Sequence, residues 1–174
     1  HNAIEDYWFD TEIRKFAKIP TIVFLGRIWE DPFTLKIKGV DRLIHLYQKF
    51  PEAKKLSIVM SRSKKLIAWL RVSIPKHELE ANLIKDAIPA RLSKYAGWIL
   101  LVTSRYEGFS LSLIEGMSQW LVPVSFAVGV APEIIKNGEN GYIVKDISEA
   151  EEKIRMLLSD DKLRETLSVN ARKS

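Results

Sequence analysis

Two carboxylates eight positions apart, Glu107 and Glu115, bracket the run Gly108-Phe109-Ser110-Leu111-Ser112 within the stretch Ser104 to Met117. This run joins an apolar, strand-like segment ending near Thr103 to a helical stripe at Leu111, Ile114, Met117 and Leu121. A strand end followed by a helix start is where an open parallel sheet binds ligands, and a helix N-terminus offers unpaired N–H groups and partial positive charge to an anion. Phosphate suits that position, with Gly108 letting the backbone come close and Phe109, Ser110 and Leu111 supplying amides. Carboxylates suit hydroxyls instead, because an ionised carboxylate accepts hydrogen bonds from vicinal OH groups, which points to sugars. The spacing alone fits equally well a Glu107 that complements the helix dipole and a Glu115 on a solvated helix face.

Other chemistries fall away. Among 174 residues there is no Cys, which excludes disulfide scaffolds, thiolate metal sites and a cysteine nucleophile, and fits a reducing compartment. Neither a P-loop nor a Gly-x-Gly-x-x-Gly fingerprint occurs. Ser110 sits as in a nucleophile elbow, but the closing Gly is missing and no His lies downstream to act as base. His1, His45 and His77 lack metal-ligand spacing, so no protein metal site is expected. The net charge of +5 favours anionic ligands without demanding nucleic acid, and no apolar run approaches the length of a membrane span.

The elements that must position these residues alternate strand and helix, as in a Rossmann-like α/β sheet of about six parallel strands with helices on both faces. Strands are predicted at Thr21 to Leu25, Leu56 to Met60, Asn82 to Ile88, Trp98 to Thr103, Pro123 to Val128 and Tyr142 to Val144. Several are apolar almost throughout, as strands buried on both faces are. Helices are predicted after Gly39 (Val40, Leu43, Ile44, Tyr47), from a first turn at Pro89 (Leu92, Tyr95), and over Ile147 to Leu158. The last has capping-box spacing at Ser148 and Glu151 and favourable pairs at Glu149–Lys153 and Glu151–Arg155. A further helix follows Asp160, with Leu163, Leu167 and Ala171 inward. Between Ser61 and Leu83, basic residues interleave with Leu66, Ile67, Trp69, Leu70 and Val72, predicting a basic amphipathic helix broken near Pro75; such a helix can lie on a membrane surface, but a solvated face of a packed helix accounts for the same residues and is the favoured reading. The chain opens at His1 like the tail of a connecting loop, and residues 1–174 are expected to be one domain excised from a longer protein.

Ser104 to Met117, together with Pro123-Val124 and the run Gly129-Val130-Ala131-Pro132-Glu133 through Gly141-Tyr142, strongly resembles the donor-domain signature of retaining GT-B glycosyltransferases of the family-4, group 1 type, enzymes of bacterial polysaccharide and lipopolysaccharide synthesis. Gly26-Arg27-Ile28 and Lys38-Gly39-Val40-Asp41-Arg42-Leu43-Ile44 are similar to that family's Gly-Arg-Leu and Lys-Gly-x-Asp-x-Leu-Ile segments, so the resemblance covers nearly the whole chain. It implies the C-terminal, nucleotide-sugar-binding half of a GT-B fold, whose missing N-terminal domain supplies the acceptor site, leaving this part inactive by itself. It further implies that Arg27 and Lys38 contact the diphosphate, Glu107 holds donor-sugar hydroxyls and Glu115 holds the ribose. No metal or other cofactor is implied. Its partners would be a nucleotide-diphosphosugar and a glycan or lipid-linked acceptor, in the cytoplasm and, for a lipid-linked acceptor, at the inner membrane face.

The sequence departs from the family pattern at three places. The segment Trp29 to Ile37 is longer than usual, so Lys36 competes with Lys38 for the phosphate. Gly129-Val130-Ala131 stands where Gly-Gly precedes Pro-Glu, and Gln119-Trp120-Leu121 lacks the Gly common near the helix end. The base contact is expected near Asp86 to Ile88. Two other functions fit such a fold: a nucleotide-sugar epimerase, marked by donor turnover without acceptor, and a non-catalytic nucleotide-sugar-binding module, in which Glu107→Gln would cost no transfer.

Overall fold

The computed structural model describes residues 4–12, 15–74 and 76–174, so His1 and the helix break expected at Pro75 lie outside the described residues. Strand β1 (Thr21–Arg27) leads through the short helix α1 (Pro32–Ile37) into α2 (Val40–Lys49). Asp31 caps α1 by accepting the Thr34 N–H at 2.8 Å, and Pro32 occupies its first turn. β2 (Lys54–Met60) is followed by α3 (Lys64–Ser73), capped by Ser63, whose Oγ accepts the Leu66 N–H at 3.0 Å. β3 (His77–Ala81) connects to α4 (Ile88–Leu92), and β4 (Ile99–Val102) to α5 (Leu111–Ser118). β5 (Val122–Phe126), α6 (Ala131–Ile134), β6 (Tyr142–Val144), α7 (Ile147–Ser159) and α8 (Asp161–Lys173) complete the order.

All six strands run parallel in the order β3-β2-β1-β4-β5-β6. The central strands β1, β4 and β5 are buried along almost their whole length, which requires helices on both faces and accounts for their unbroken apolar sequence. The strand order reverses between β1 and β4, and it is outside the carboxyl ends of such a pair that an open α/β sheet leaves a crevice.

Four expectations need correction. The third strand is His77–Ala81, not Asn82 to Ile88. It is an edge strand that alternates polar and apolar residues, and its Glu78 and Glu80 are held by Arg91, with Lys54 also on Glu78. Asn82 turns at φ 55°, and Lys85–Ala87 form a 3-10 turn that feeds α4. Second, α7 is capped by Asp146, which accepts the Glu149 N–H at 2.9 Å, while Glu149 accepts the Lys145 N–H at 3.0 Å; the cap therefore lies two residues before Ser148. Third, the helical pairs re-partner. Packing against α2 and β6 gives Glu151 His45 (2.8 Å) and Lys49 (3.4 Å) of α2 and lays Lys153 over Tyr142 and Arg155 over Phe50, while Lys153 also pairs with the adjacent Glu152 of α7. Fourth, α5 ends at Ser118, and Leu121 is buried in the turn beyond it. There Trp120 adopts φ 58°, the left-handed conformation that glycine usually supplies. Its carbonyl accepts from Gly97 N–H (2.7 Å) and Ser168 Oγ (2.7 Å), and its ring stacks under the Arg172 guanidinium at 4.5 Å, contacts that offset the backbone cost of about 1–2 kcal/mol.

Packing of α8 centres on Arg164, only 4% exposed, whose guanidinium lies 3.6 Å from the Trp98 ring and donates to Leu157 O and Asp161. No helix among the described residues is long and apolar enough to cross a membrane.

Candidate functional site

The crevice at the strand reversal is a cleft of about 610 Å³, within the range of small-molecule sites. Its walls come from β1 (Gly26, Arg27), the segment after it (Trp29, Lys38), the end of β2 (Met60), the turn after β3 (Leu83, Lys85, Ile88) and the β4–α5 connection (Thr103, Ser104, Glu107, Phe109, Ser110, Leu111, Ser112), with Glu115 deeper along α5. Arg27, Lys38, Glu107, Phe109, Ser110, Leu111 and Glu115 therefore share one cavity. Gly108 is exposed beside it, and a Cβ there would meet nothing within 4 Å, so no contact within the fold calls for glycine at that position. Lys36 is exposed and does not line the cleft, which leaves Lys38 as the lysine of this segment that faces it. Of the stretch expected to meet a base, Ile88 lines the cleft, preceded by Leu83 and Lys85.

The segment carrying Lys38 is clamped to the end of β4. Thr103 Oγ1 donates to Lys38 O (3.0 Å), Arg105 N–H to Ile37 O (2.6 Å), and Arg42 to the carbonyls of Thr103 and Ser104 (3.3 and 3.4 Å). Arg105 also grips Asp41 through two nitrogens at 2.7 and 2.6 Å, and these hydrogen bonds hold the Asp41 carboxyl below its ordinary pKa. Gly39 makes the approach possible: it sits at φ 63°, and a Cβ there would fall 1.9 Å from Thr103 O. Lys38 Nζ is thereby brought to Glu107, 2.8 and 3.0 Å from its two carboxylate oxygens, and Ser104 Oγ donates to the same carboxylate at 2.7 Å. The pair is partly buried, at 23% and 15% side-chain exposure. Behind Glu107, Gly129 (φ 53°) lets the 129–131 turn press against the loop, and Val130 N–H donates to Phe109 O at 2.9 Å.

At the entrance to α5, Ser110 adopts φ 76° and makes no side-chain cap, so the first-turn N–H groups are not satisfied by a capping side chain. The Ser110 hydroxyl itself is buried and has no hydrogen-bond partner among the described residues, an arrangement that costs free energy until something supplies one. Glu115 is 9% exposed, and no hydrogen bond among the described residues reaches its carboxylate; burial pushes its pKa up to about 7, against a smaller opposing pull from Lys85. Lys85 in turn is bound by Glu5 of the N-terminal segment. No group of three or more His, Asp or Glu side chains among the described residues is arranged to hold a metal ion.

Trp29, Met60, Lys85 and Ser104 were not legible as cleft residues in the sequence. Trp29, Met60 and Ser104 follow or end strands, and a lining residue of this kind is recognised only once the strand order is known.

The family model for glycosyl transferases group 1 matches residues 10–174. A probable sucrose-phosphate synthase of Thermosipho melanesiensis is 32% identical over 155 residues, 82% of this chain and 34% of that protein. The N-acetyl-alpha-D-glucosaminyl L-malate synthase of Bacillus anthracis is 32% identical over 78 residues, 44% of this chain and 20% of that protein. The chain thus matches only about a fifth to a third of the length of these curated relatives. Among solved structures, the C-terminal domain of the glycosyl transferase group 1 family protein LpcC from Francisella tularensis aligns with a TM-score of 0.70 at 25% identity, covering 96% of this chain and 88% of that one. S. aureus TarM, in a complex that includes UDP, aligns with a TM-score of 0.76 at 22% identity over 95% of this chain and 34% of that one, a likeness of fold.

Proposed function

Because this chain belongs to the glycosyl transferases group 1 family, we propose that it is the donor half of a retaining glycosyltransferase, binding a nucleotide-diphosphosugar in the cleft at the strand reversal. The observation that carries the reading is the convergence in one cavity of three cations (Arg27, Lys38 and Lys85), two carboxylates and the uncapped start of α5. The diphosphate lies against the α5 amides and Ser110 Oγ, between Arg27 and Lys38. Glu107, oriented by Lys38 and Ser104, takes hydroxyls of the transferred sugar, and Glu115 takes the ribose hydroxyls, which supply the hydrogen bonds its buried carboxylate lacks.

In the transfer step the bond between the anomeric carbon and the terminal phosphate oxygen breaks, and its electron pair leaves with the nucleoside diphosphate. Arg27, Lys38 and the helix amides stabilise that growing charge. The acceptor oxygen bonds to the anomeric carbon from the face the phosphate leaves, and gives up its proton to the departing phosphate oxygen. The acceptor, a glycan or lipid-linked sugar of surface polysaccharide or lipopolysaccharide assembly, is held by a further domain of the parent protein; residues 1–174 alone bind donor and do not transfer.

A thermal-shift series with nucleoside diphosphates and their sugar conjugates tests the binding step. A ligand that binds only the native state at a hundredfold excess over its Kd stabilises by about 2.7 kcal/mol. Absence of a shift with every nucleoside diphosphate at millimolar concentration would reject the reading.

A further inference from the structure

Helix α3 presents a surface that the cleft does not use. From position 53 to 77 the sequence holds seven cations, Lys54, Lys55, Arg62, Lys64, Lys65, Arg71 and Lys76, and no Asp or Glu. The chain has 27 Lys and Arg against 22 acids in all, so without this stretch acids outnumber bases. Lys54 and Lys55 belong to β2, the second of them buried, and the five cations on or flanking α3 (Arg62, Lys64, Lys65, Arg71 and Lys76) equal the net charge of +5.

The helix is sided. Leu66 and Leu70 are buried, whereas Lys64, Lys65, Ala68, Trp69, Arg71 and Val72 face solvent, with Arg62 and Lys76 exposed just beyond its ends. Trp69 is 43% and Val72 80% exposed. Lys65 reaches Glu30 at 3.7 Å, and among the described residues no ion pair engages Arg62, Lys64, Arg71 or Lys76. Elsewhere on the sheet edge the cations are neutralised: Lys54 and Arg91 are taken by Glu78 and Glu80. On α3 an exposed Trp and Val lie side by side among unpaired cations, the combination of apolar and basic side chains that a headgroup region accommodates.

We propose that this face of α3 docks on an anionic lipid bilayer. Lys and Arg meet headgroup phosphates, while Trp69 and Val72 enter the boundary between headgroups and acyl chains, where indole rings are favoured. A nucleic acid satisfies the cations but offers no apolar phase for Val72. The docking face adjoins the cleft: Ser63 and Lys65, at the start of α3, both bind Glu30, whose neighbour Trp29 lines the cavity along with Met60 from the end of β2. A bilayer against α3 therefore lies beside the mouth of the site. The proposal stands on this surface and not on the identity of the cleft's ligand.

The experiment is co-sedimentation of the chain with vesicles of phosphatidylcholine alone and of phosphatidylcholine mixed with phosphatidylglycerol, at low and high salt. Binding to the anionic vesicles only, released by salt, is expected. The triple variant Lys64→Gln/Lys65→Gln/Arg71→Gln should weaken partitioning by about fivefold per cation removed. Trp69→Ser should weaken it with all charges intact, and should abolish any blue shift of tryptophan emission on the vesicles. Melting temperatures of both variants, which alter exposed positions only, check that the fold persists. No binding, equal binding to neutral vesicles, insensitivity to Trp69→Ser, or displacement from the vesicles by mixed-sequence RNA would overturn the proposal.

Discussion

Replacing Glu115 by Gln isolates the energetic cost of burying one carboxylate in the cleft. Burial raises the Glu115 carboxyl from 4.5 to about 7, because desolvation disfavours the ionised form and no hydrogen bond from the described residues offsets it. The folded protein therefore holds a proton that the unfolded chain releases between these values. The stability this contributes is fully present below about pH 4.5 and is lost as pH rises through about 7, a cost of roughly 3 kcal/mol for keeping the anion buried. Other carboxylates shift stability the opposite way, as Asp41 and Glu78 do with lowered pKa values, so the absolute curve is not the readout. The readout is the difference between Glu115→Gln and the parent by urea denaturation. That difference should be small near pH 5 and should favour the variant by roughly 3 kcal/mol near pH 8.5. A nucleoside diphosphate whose ribose hydroxyls bind the carboxylate should reverse the penalty. Its affinity should fall as pH drops below about 7, and calorimetry in buffers of different ionisation enthalpy should detect proton release on binding. Parallel denaturation profiles across this pH range would refute the claim that Glu115 is an uncompensated buried charge, and with it the physical reason for assigning it to the ribose.

Lys38→Met should abolish the stabilisation by nucleoside diphosphates in thermal shift while costing about 1–3 kcal/mol of fold stability, since it leaves the partly buried Glu107 with Ser104 as its remaining side-chain partner; Lys36→Met, outside the cleft, should leave binding unchanged. Gly108→Ala should unfold within about 0.5 kcal/mol of the parent because nothing lies within 4 Å of the added methyl, yet bind nucleoside diphosphate more weakly if ligand fills that space; equal affinity would remove the loop from the phosphate site. Gly39→Ala should be strongly destabilising in urea, since its Cβ would lie 1.9 Å from Thr103 O and its φ is 63°, and should release Lys38 from Glu107. Asp160→Ala, which removes the cap of α8 on Leu163 N–H, should cost about 1 kcal/mol by chemical denaturation with donor binding intact.

What the sequence determined by itself was local. Thr21 to Leu25, Leu56 to Met60 and Trp98 to Thr103 are apolar on both faces of an extended chain, and only a sheet covered on both sides accommodates that. The run from Glu107 to Glu115 declared a loop entering a helix with its acids at either end. The third strand escaped because its burial is an edge property: His77-Glu78-Leu79-Glu80-Ala81 reads as polar until Arg91 and Lys54, from other elements, neutralise it, while the more apolar Leu83 and Ile88 serve the cleft. The Asp146 cap is local, a choice between two capping residues two positions apart, whereas the partners of Glu151 were settled by where α7 packs against α2. Above all, tertiary structure decided the site. Lys38 and Glu107 lie 69 positions apart, and only the exchange of strand order between β1 and β4, with Gly39 pressed to the Thr103 carbonyl, brings them within 2.8 Å. A side chain's charge is written in its residue type, but whether that charge is shared, screened or left stranded depends on neighbours that sequence distance does not reveal.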